Sequence, residues 1–459
     1  MSTIVAIATA TTNGGIGIIR MSGKECFTIL EKIFKPRNPQ KIEEIAGYSM
    51  KYGYIINQET KENIDEVIVS YFKSPKSYTT EDMCEINSHG GIVIEQEILK
   101  QCLVAGAELA EPGEFTKRAF LNSRIDLSQA EGVIDLINSK TSGEAKASFE
   151  QLQGELSKKI QEIRKLQLDI MADIEASIDY PEYDDVGEVT TQKMKKALTD
   201  IKEKLIKLED SYSNGKILKE GIKTVIVGKP NAGKSSLLNA ILNEERAIVS
   251  NIEGTTRDTI EEFVTIHGIS LKLIDTAGIR NAKDEVEEIG VQKALKLIKE
   301  ADLIIDIIDN TKTLENEDKE ILSMLTEKVA IIILNKIDEG DAHLENSKEI
   351  KETKKPVIKI SAKTREGIEE LYQKIIEMFQ LKEIEVGQGS VVTNIRHKNQ
   401  IHKAIEAIKE AEEVLEQELP VDLISVPIKQ SLEELSAITG ENVSDDIISE
   451  IFSKFCLGK

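Results

Sequence analysis

The sequence predicts a multidomain fold, α/β plus α, on three observations. Over 216–380, short apolar runs alternate with amphipathic segments, the pattern of a mostly parallel sheet covered by helices on both faces. From about 121, and again after Gly387 and Gly389, apolar residues recur at helical spacing over long distances. Residues 1 to about 120 mix short strands with short helices. A chain of 459 residues has room for about three domains. The shifts in texture put boundaries at 1–120, 121–215, 216–380 and 381–459. The third stretch is then an insertion between two parts of one helical body.

In chain order, residues 4–8 and 16–19 read as strands around the turn 12–15. Residues 66–72 form another, ended by Pro75, and 92–103 form a helix. Leu156, Ile160, Ile163, Ile170, Ile174 and Ile178 make one apolar stripe. Met194, Leu198, Ile201, Leu205 and Leu208 make a second. These stripes pack helix on helix and are assigned no ligand. Pro181 and Gly187 mark the loop between them, and Ser213-Asn214-Gly215 reads as a hinge. Strands follow at 224–227, 271–274, 303–308, 329–334 and 357–360, and ligands should bind at their carboxyl ends. Ile401, Ile405, Ile408 and Leu415, then Leu432, Leu435 and Ile438, resume the helical stripes. Ser444 opens a last helix with Asp445 and Asp446 at the positive end of its dipole. This tail should pack on the helices of 121–213.

Charged residues are 31% of the chain and hydrophobic ones 40%, proportions that support packed cores. No uncharged apolar run approaches the ~20 residues of a membrane span. The start, Met1-Ser2-Thr3-Ile4, lacks the basic-then-apolar layout of a secretion signal. Cys26, Cys84, Cys102 and Cys456 lie far apart with no C-x-x-C pair, against structural zinc and a disulfide framework. A cytoplasmic protein without a membrane partner is expected. The net charge of −22 argues against a broad nucleic-acid-binding surface. A polynucleotide would have to be met by a local basic patch or a basic partner.

The most informative stretch is Gly228-Lys229-Pro230-Asn231-Ala232-Gly233-Lys234-Ser235-Ser236, which follows an apolar strand and opens a helix. This is the phosphate-binding pattern G-x-x-x-x-G-K-S in its required context. The pattern alone should arise by chance in about 2% of chains this long. Gly228 and Gly233 let the backbone approach an anion, and the loop N–H groups and helix N-terminus point positive charge at it. Lys234 reaches the terminal phosphates, and the Ser235 hydroxyl can ligate Mg²⁺.

Further segments follow in the order a GTPase needs. Gly254-Thr255-Thr256-Arg257-Asp258 falls where the first switch would sit, and Thr256 can place its hydroxyl on Mg²⁺. Asp275-Thr276-Ala277-Gly278 closes a strand. Asp275 can hold Mg²⁺ through water, and the Gly278 N–H can meet the γ-phosphate. In Asn335-Lys336-Ile337-Asp338, the Asp338 carboxylate can accept from the ring N–H and exocyclic amine of guanine, a donor pair that adenine lacks. Ser361-Ala362-Lys363 can supply a backbone contact to the base carbonyl. Alone each pattern is weak, but in this order at strand ends they define a Ras-like P-loop G domain. The residue after Gly278 departs from small signalling GTPases, which place a water-orienting glutamine there. Ile279 cannot hydrogen-bond. The alternatives for the missing function are Arg257 or Arg280 as fingers, a monovalent cation bridged by the Asn231 carbonyl oxygen, and Glu287 as a water-orienting carboxylate.

The whole chain resembles the MnmE (TrmE) family of tRNA-modification GTPases. The resemblance rests on the G motifs, on the block 112–122 (PGEFTKRAFLN) and on the ending Phe455-Cys456-Leu457-Gly458-Lys459. It implies an N-terminal α+β domain of the folate-binding type that also makes a homodimer. It also implies a flavoprotein partner of the MnmG type and a tRNA substrate. The reaction it implies adds a carboxymethylaminomethyl or aminomethyl group to C5 of wobble uridine. The one-carbon unit comes from a tetrahydrofolate derivative (5,10-methylene- or 5-formyl-tetrahydrofolate). Folate contacts map to Arg20, Glu85, Arg124 and Lys459; the family often has lysine where Arg124 stands. G domains pair in a K⁺-dependent way, with K⁺ held by Asn231, Ser250, Ile252 and Thr255, and Mg²⁺ by Ser235 and Thr256. Glu287 matches the water-orienting glutamate, and Lys234 and Thr256 complete the catalytic set. Ser250, Asn251, Ile252, Glu253, Gly254, Thr255 and Thr256 line the GTP together with Asn231 to Ser236. Cys456 reads either as a small residue in a packed terminus or as a thiol near the folate, and His89 as a turn residue.

Two other classes compete. A ribosome-assembly or regulatory GTPase without folate chemistry shares Gly-Thr-Thr-Arg-Asp and the Ile279-type substitution. Such proteins usually append a basic RNA-binding module, and the sequence has no basic segment centred on G-x-x-G. A structural GTP-binding scaffold predicts no K⁺-stimulated turnover.

Overall fold

A computed structural model describes residues 2–41, 44–179, 187–242, 262–266, 269–273, 298, 301–340, 342–379, 392–417 and 419–459. The N-terminal part holds β1 (Ile4–Ile7), β2 (Gly17–Ser22), α1 (Cys26–Ile33), β3 (Phe34–Pro36), β4 (Ser49–Ile56), β5 (Asn63–Phe72), β6 (Met83–Ser88), α2 (Ile92–Ala105), β7 (Glu108–Leu109) and α3 (Glu114–Leu121). Its sheet runs β3-β4-β5-β6-β2-β1-β7, antiparallel except where β1 meets β7. Alternation decides which face is dry. Ile19, Met21, Val67, Val69, Tyr71, Cys84 and Ile86 join the core with Phe27, Leu30 and Ile33 of α1 and Ile98 and Cys102 of α2. The intervening residues Arg20, Glu85 and Ser70 stand side by side in register on the other face. Cys26, Cys84 and Cys102 are buried as small apolar fillers. A hydrogen bond from the protonated Cys84 thiol to Cys26, together with burial, holds the Cys84 pKa well above its ordinary value, and burial does the same at Cys102.

Four helices follow: α4 (Leu127–Asn138), α5 (Ser142–Leu152), α6 (Glu155–Asp179) and α7 (Gly187–Glu220). Leu156, Ile160, Ile163, Ile170 and Ile174 of the first stripe are buried, as are all five residues of the second. Ile178 is 52% exposed, so that stripe stops one turn earlier than its periodicity suggests. The expected hinge at Ser213-Asn214-Gly215 is corrected: α7 runs straight through it. Glycine inside a helix costs only about 1 kcal/mol, and Ile217, one turn on, packs on the core of the following sheet. The helix stops at Gly221, whose N–H bonds to the Ile217 carbonyl. Pro181 lies outside the described residues.

Next come β8 (Ile222–Val227), α8 (Lys234–Leu242), β9 (Glu262–Ile266), β10 (Ile269–Leu273), β11 (Leu303–Asp309), α9 (Asn316–Met324), β12 (Ala330–Asn335), α10 (Lys348–Thr353), β13 (Val357–Lys359) and α11 (Ile368–Met378). The sheet order is β13-β12-β11-β8-β10-β9, with every neighbouring pair parallel except β9 on β10. Ile305, Ile307, Ile331 and Ile333 pack with Leu237 of α8 and Leu371 of α11. Ile304, Ile308, Ile332 and Leu334 pack on the other side with Leu322 of α9 and Ile350 of α10. Two buried faces explain the nearly continuous apolar runs, which Asp306 alone breaks in the middle of β11. The antiparallel edge strand β9 was not among the strands read from the sequence.

The chain ends with α12 (Ile395–Glu416), α13 (Ser425–Thr439) and α14 (Asp445–Ser453). Gln167 of α6 donates to the Ser431 hydroxyl of α13 at 2.7 Å, and Arg164 forms an ion pair with Glu441. Ile448, Phe452 and Phe455 pack on Ala119, Leu127 and Ala130. The chain separates into two compact units, 1–134 with 151–195 and 407–459, and 135–150 with 196–406. Among the described residues no helix is long and apolar enough to cross a membrane.

Candidate functional site

In the second unit, β8, β11 and β12 end at one edge, and the phosphate-loop and Asn-Lys-x-Asp motifs of the sequence lie on loops that leave β8 and β12. After β8 the chain must turn sharply into α8. Gly228 stands at φ 141 and Gly233 at φ 109. An added Cβ would lie 2.3 Å from the Ile307 carbonyl oxygen at the first and 2.0 Å from the Asn335 amide at the second. Only glycine fits either place. Asn231 takes the left-handed conformation at φ 64, which asparagine tolerates best after glycine. Ala232 is buried. The Lys234 ammonium donates to the carbonyls of Gly228 (2.6 Å) and Lys229 (2.8 Å), so the loop curls around its own lysine. Burial lowers the Lys234 pKa, and the neighbouring Asp306 opposes that shift. Ser235 and Ser236 occupy the exposed first turn of α8.

The loop after β12 is joined to the phosphate loop through one side chain. Asn335, 2% exposed, donates from Nδ2 to the Ala232 carbonyl at 2.9 Å and accepts the Ala362 N–H on Oδ1 at 3.0 Å. Three loops distant in sequence therefore share one amide. Lys336 stands at φ 69, with Nζ 2.6 Å from Asp309 Oδ2. Asp338 is exposed, and a hydrogen bond from the Ser361 hydroxyl holds its carboxyl below the usual range. Ser361 is in turn bonded by the Thr364 N–H at 3.1 Å. Lys363 is exposed beside them. An exposed, ionised carboxylate beside a fixed peptide suits a base edge that offers two donors.

The remaining nucleotide-site residues named from the sequence lie outside the described residues. They are Ser250, Asn251, Ile252, Glu253, Gly254, Thr255, Thr256, Arg257, Asp275, Thr276, Ala277, Gly278, Ile279, Arg280 and Glu287.

A second cluster lies in the first unit. Arg20 donates from Nε to Glu85 at 2.9 Å and from Nη1 to the Gly458 carbonyl at 3.0 Å. Its guanidinium stands 5.7 Å from the ring centres of both Tyr78 and Phe115, and that of Arg124 lies 4.8 Å from Tyr78. The N–H groups of Gly113 and Phe115, at the start of α3, donate to the carbonyls of Cys456 (3.3 Å) and Lys459 (3.2 Å). The structure thus brings Arg20, Glu85, Arg124 and Lys459 together. Cys456 is exposed beside them. His89 follows β6 and bonds Asp65 through its N–H (2.8 Å) and Nδ1 (2.7 Å), which raises its pKa. Gly458, at φ 84, has room for no Cβ, which would lie 2.4 Å from the Ile7 carbonyl oxygen. Gly458→Ala is expected to weaken this seat by about 1–3 kcal/mol. Carboxypeptidase should then remove the tail faster than in the parent chain.

The sequence did not single out Tyr78 or Asp309, because nothing local marks them, and it held Phe115 only as a member of the block 112–122. Their roles come from Arg20, Arg124 and Lys336, whose partners lie far along the chain. The block 112–122 was the available signal for the α3 cradle.

A glycine-turned phosphate loop tied by a buried asparagine to a guanine-type Asn-Lys-x-Asp loop, on a parallel sheet, defines a P-loop GTPase. The family model "MnmE helical domain" matches residues 127–456, and "GTP-binding protein TrmE N-terminus" matches 3–124. The chain belongs to the MnmE (TrmE) family. A relative from Acetivibrio thermocellus named tRNA modification GTPase MnmE is 49% identical over 100% of this chain and 99% of its own length. One of the same name from Clostridioides difficile is 48% identical over 100% and 99%. Among solved structures, the G domain of the T. maritima FeoB iron transporter is 31% identical over 34% of this chain and 97% of that one, at a TM-score of 0.26. The assignment rests on the family models and full-length relatives, not on that structural likeness.

Proposed function

We propose that this GTPase acts with a flavoprotein partner of the MnmG type to modify C5 of wobble uridine in tRNA. The group added is carboxymethylaminomethyl or aminomethyl, and a tetrahydrofolate derivative supplies its one-carbon unit. Full-length identity of 49% to a relative named for tRNA modification carries this reading. Support for the folate half comes from the Arg20–Glu85 pair, the two arginines over Tyr78 and the seated Gly458–Lys459 tail. Cations over an aromatic floor suit a flat, anionic ligand. Retention of a tetrahydrofolate derivative on a desalting column tests that half, since an assembly GTPase would retain none. The N-terminal domain (1–120) is the proposed homodimer contact, and the helical domain (121–215 with 381–459) would carry the inserted G domain (216–380). Asp338 is the proposed guanine contact, with Asn335, Lys336, Ser361, Ala362 and Lys363 framing the base.

Hydrolysis is proposed to use K⁺ held by Asn231, Ser250, Ile252 and Thr255, and Mg²⁺ held by Ser235 and Thr256, with Glu287 orienting water. Asn231 supports this reading because its left-handed backbone turns it outward at the lip of the loop, where it is exposed. Positive charge placed where the transition state develops negative charge contributes on the order of 10²–10³ in rate. GTP turnover in K⁺ should therefore exceed that in Na⁺ by at least about tenfold, and Asn231→Ala or Glu287→Ala should lose most of it. Equal rates in the two salts would remove the cation from the mechanism.

A further inference from the structure

Asp306 lies in the middle of β11 and is 1% exposed. It faces the same side of the sheet as Ile304 and Ile308, and its strand neighbours there are Val227 of β8 and Ile332 of β12. Its Oδ2 has no hydrogen-bond partner among the described residues. A carboxylate in such surroundings is costly to ionise. From β8 and β12 no described charged side chain faces it. From α8 the Lys234 ammonium acts on it, and from the first turn of α9 Asp318 does. Asp318 is itself 3.7 Å from Lys229 of the phosphate loop, which also pairs with Glu315. Asp306 is the register partner of Val227, the residue before Gly228, whose carbonyl accepts from the Lys234 ammonium at 2.6 Å, so the carboxyl lies beside the strand end that the lysine holds.

We propose that Asp306 is a positioning residue for Lys234, and that its proton governs how tightly the phosphate loop holds a nucleotide. Neutral Asp306 leaves the ammonium to the phosphates, whereas ionised Asp306 competes for it. This rests on the reading that Lys234 reaches the bound phosphates. Burial pushes the Asp306 pKa up to about 8, with Asp318 adding to the shift and Lys234 opposing it. Bound phosphate draws away the Lys234 charge and brings negative charge of its own, and both raise that pKa further. The pKa is therefore higher with nucleotide bound than without. Affinity is full below the free-state value and falls as pH rises through it, and binding near pH 8 takes up a proton from solvent.

The test is GDP binding to the full chain by calorimetry from pH 6.5 to 9.5, in two buffers of different ionisation heat. Affinity should fall about tenfold for each unit by which binding raises the pKa, with net proton uptake near pH 8. Asp306→Asn should remove both the uptake and the excess slope over the titration of GDP itself. Asp306→Leu restores an aliphatic surface, cannot ionise either, and must behave like the Asn variant. Guanosine, lacking phosphates, should show no difference between parent and variants. The same slope and uptake in parent and variants would overturn the inference while leaving Lys234 on the phosphates. Failure of the parent to bind GDP at every pH would overturn the reading of Lys234 as well.

Discussion

Asp338→Asn should weaken GTP binding by about a hundredfold or more and admit xanthosine triphosphate in its place. The carboxylate is exposed, held in the ionised form by the Ser361 hydroxyl, and carried on a loop that Asn335 anchors from beneath. Two charge-assisted hydrogen bonds to the guanine edge contribute about 1.5–3 kcal/mol each. An amide can accept only one of those protons and presents a donor to the other. Xanthine offers an oxygen where guanine offers an amine, so the amide suits it. Competition of the two triphosphates against a fluorescent GDP analogue reads the switch. Unchanged discrimination in the variant would mean that Asp338 does not touch the base.

Arg118→Met should destabilise the first unit by about 3–5 kcal/mol, the usual cost of stripping one partner from a buried ion network. Arg118 sits within the block 112–122 on α3 and its side chain is only 3% exposed. It donates to the Ser2 carbonyl at 2.8 Å, to Glu81 at 3.0 Å and to Glu114 at 2.7 Å. Without it, two carboxylates are left facing each other with no cation between them. Lysine should rescue little, because a point charge cannot fork to both acids and the carbonyl. Adding Glu81→Gln and Glu114→Gln to the Met variant should recover much of the loss, since the stranded charges are then gone. Guanidinium titration followed by tyrosine fluorescence measures each step. A midpoint unmoved by Arg118→Met would show that the network contributes nothing.

Much of the second unit was legible because its sheet is buried on both faces. Residues 303–308 and 329–334 are almost continuously apolar, and each strand hands over to a motif whose spacing is set by local backbone chemistry. Gly228 and Gly233 could be picked out for the same reason: the requirement for positive φ acts on the residue itself. The hinge expected at Ser213-Asn214-Gly215 failed on the opposite ground. Turn-forming residues weigh little inside a 34-residue helix whose next turn is anchored by Ile217.

By itself, the sequence determined the phosphate-loop motif, the Asn-Lys-x-Asp motif, the mostly parallel sheet of the stretch after 216 and the family. Each of these depends on residues near one another in the chain, or on periodicity that survives without contacts. Tertiary structure alone decided that Asn335 ties Ala232 to Ala362, that Arg20 meets Gly458 across the length of the chain, and that Asp306 is sealed among isoleucines and valines. Those outcomes depend on which strands become neighbours, and the energy of a hydrogen bond or a buried charge is set by what surrounds it, not by what precedes it in sequence.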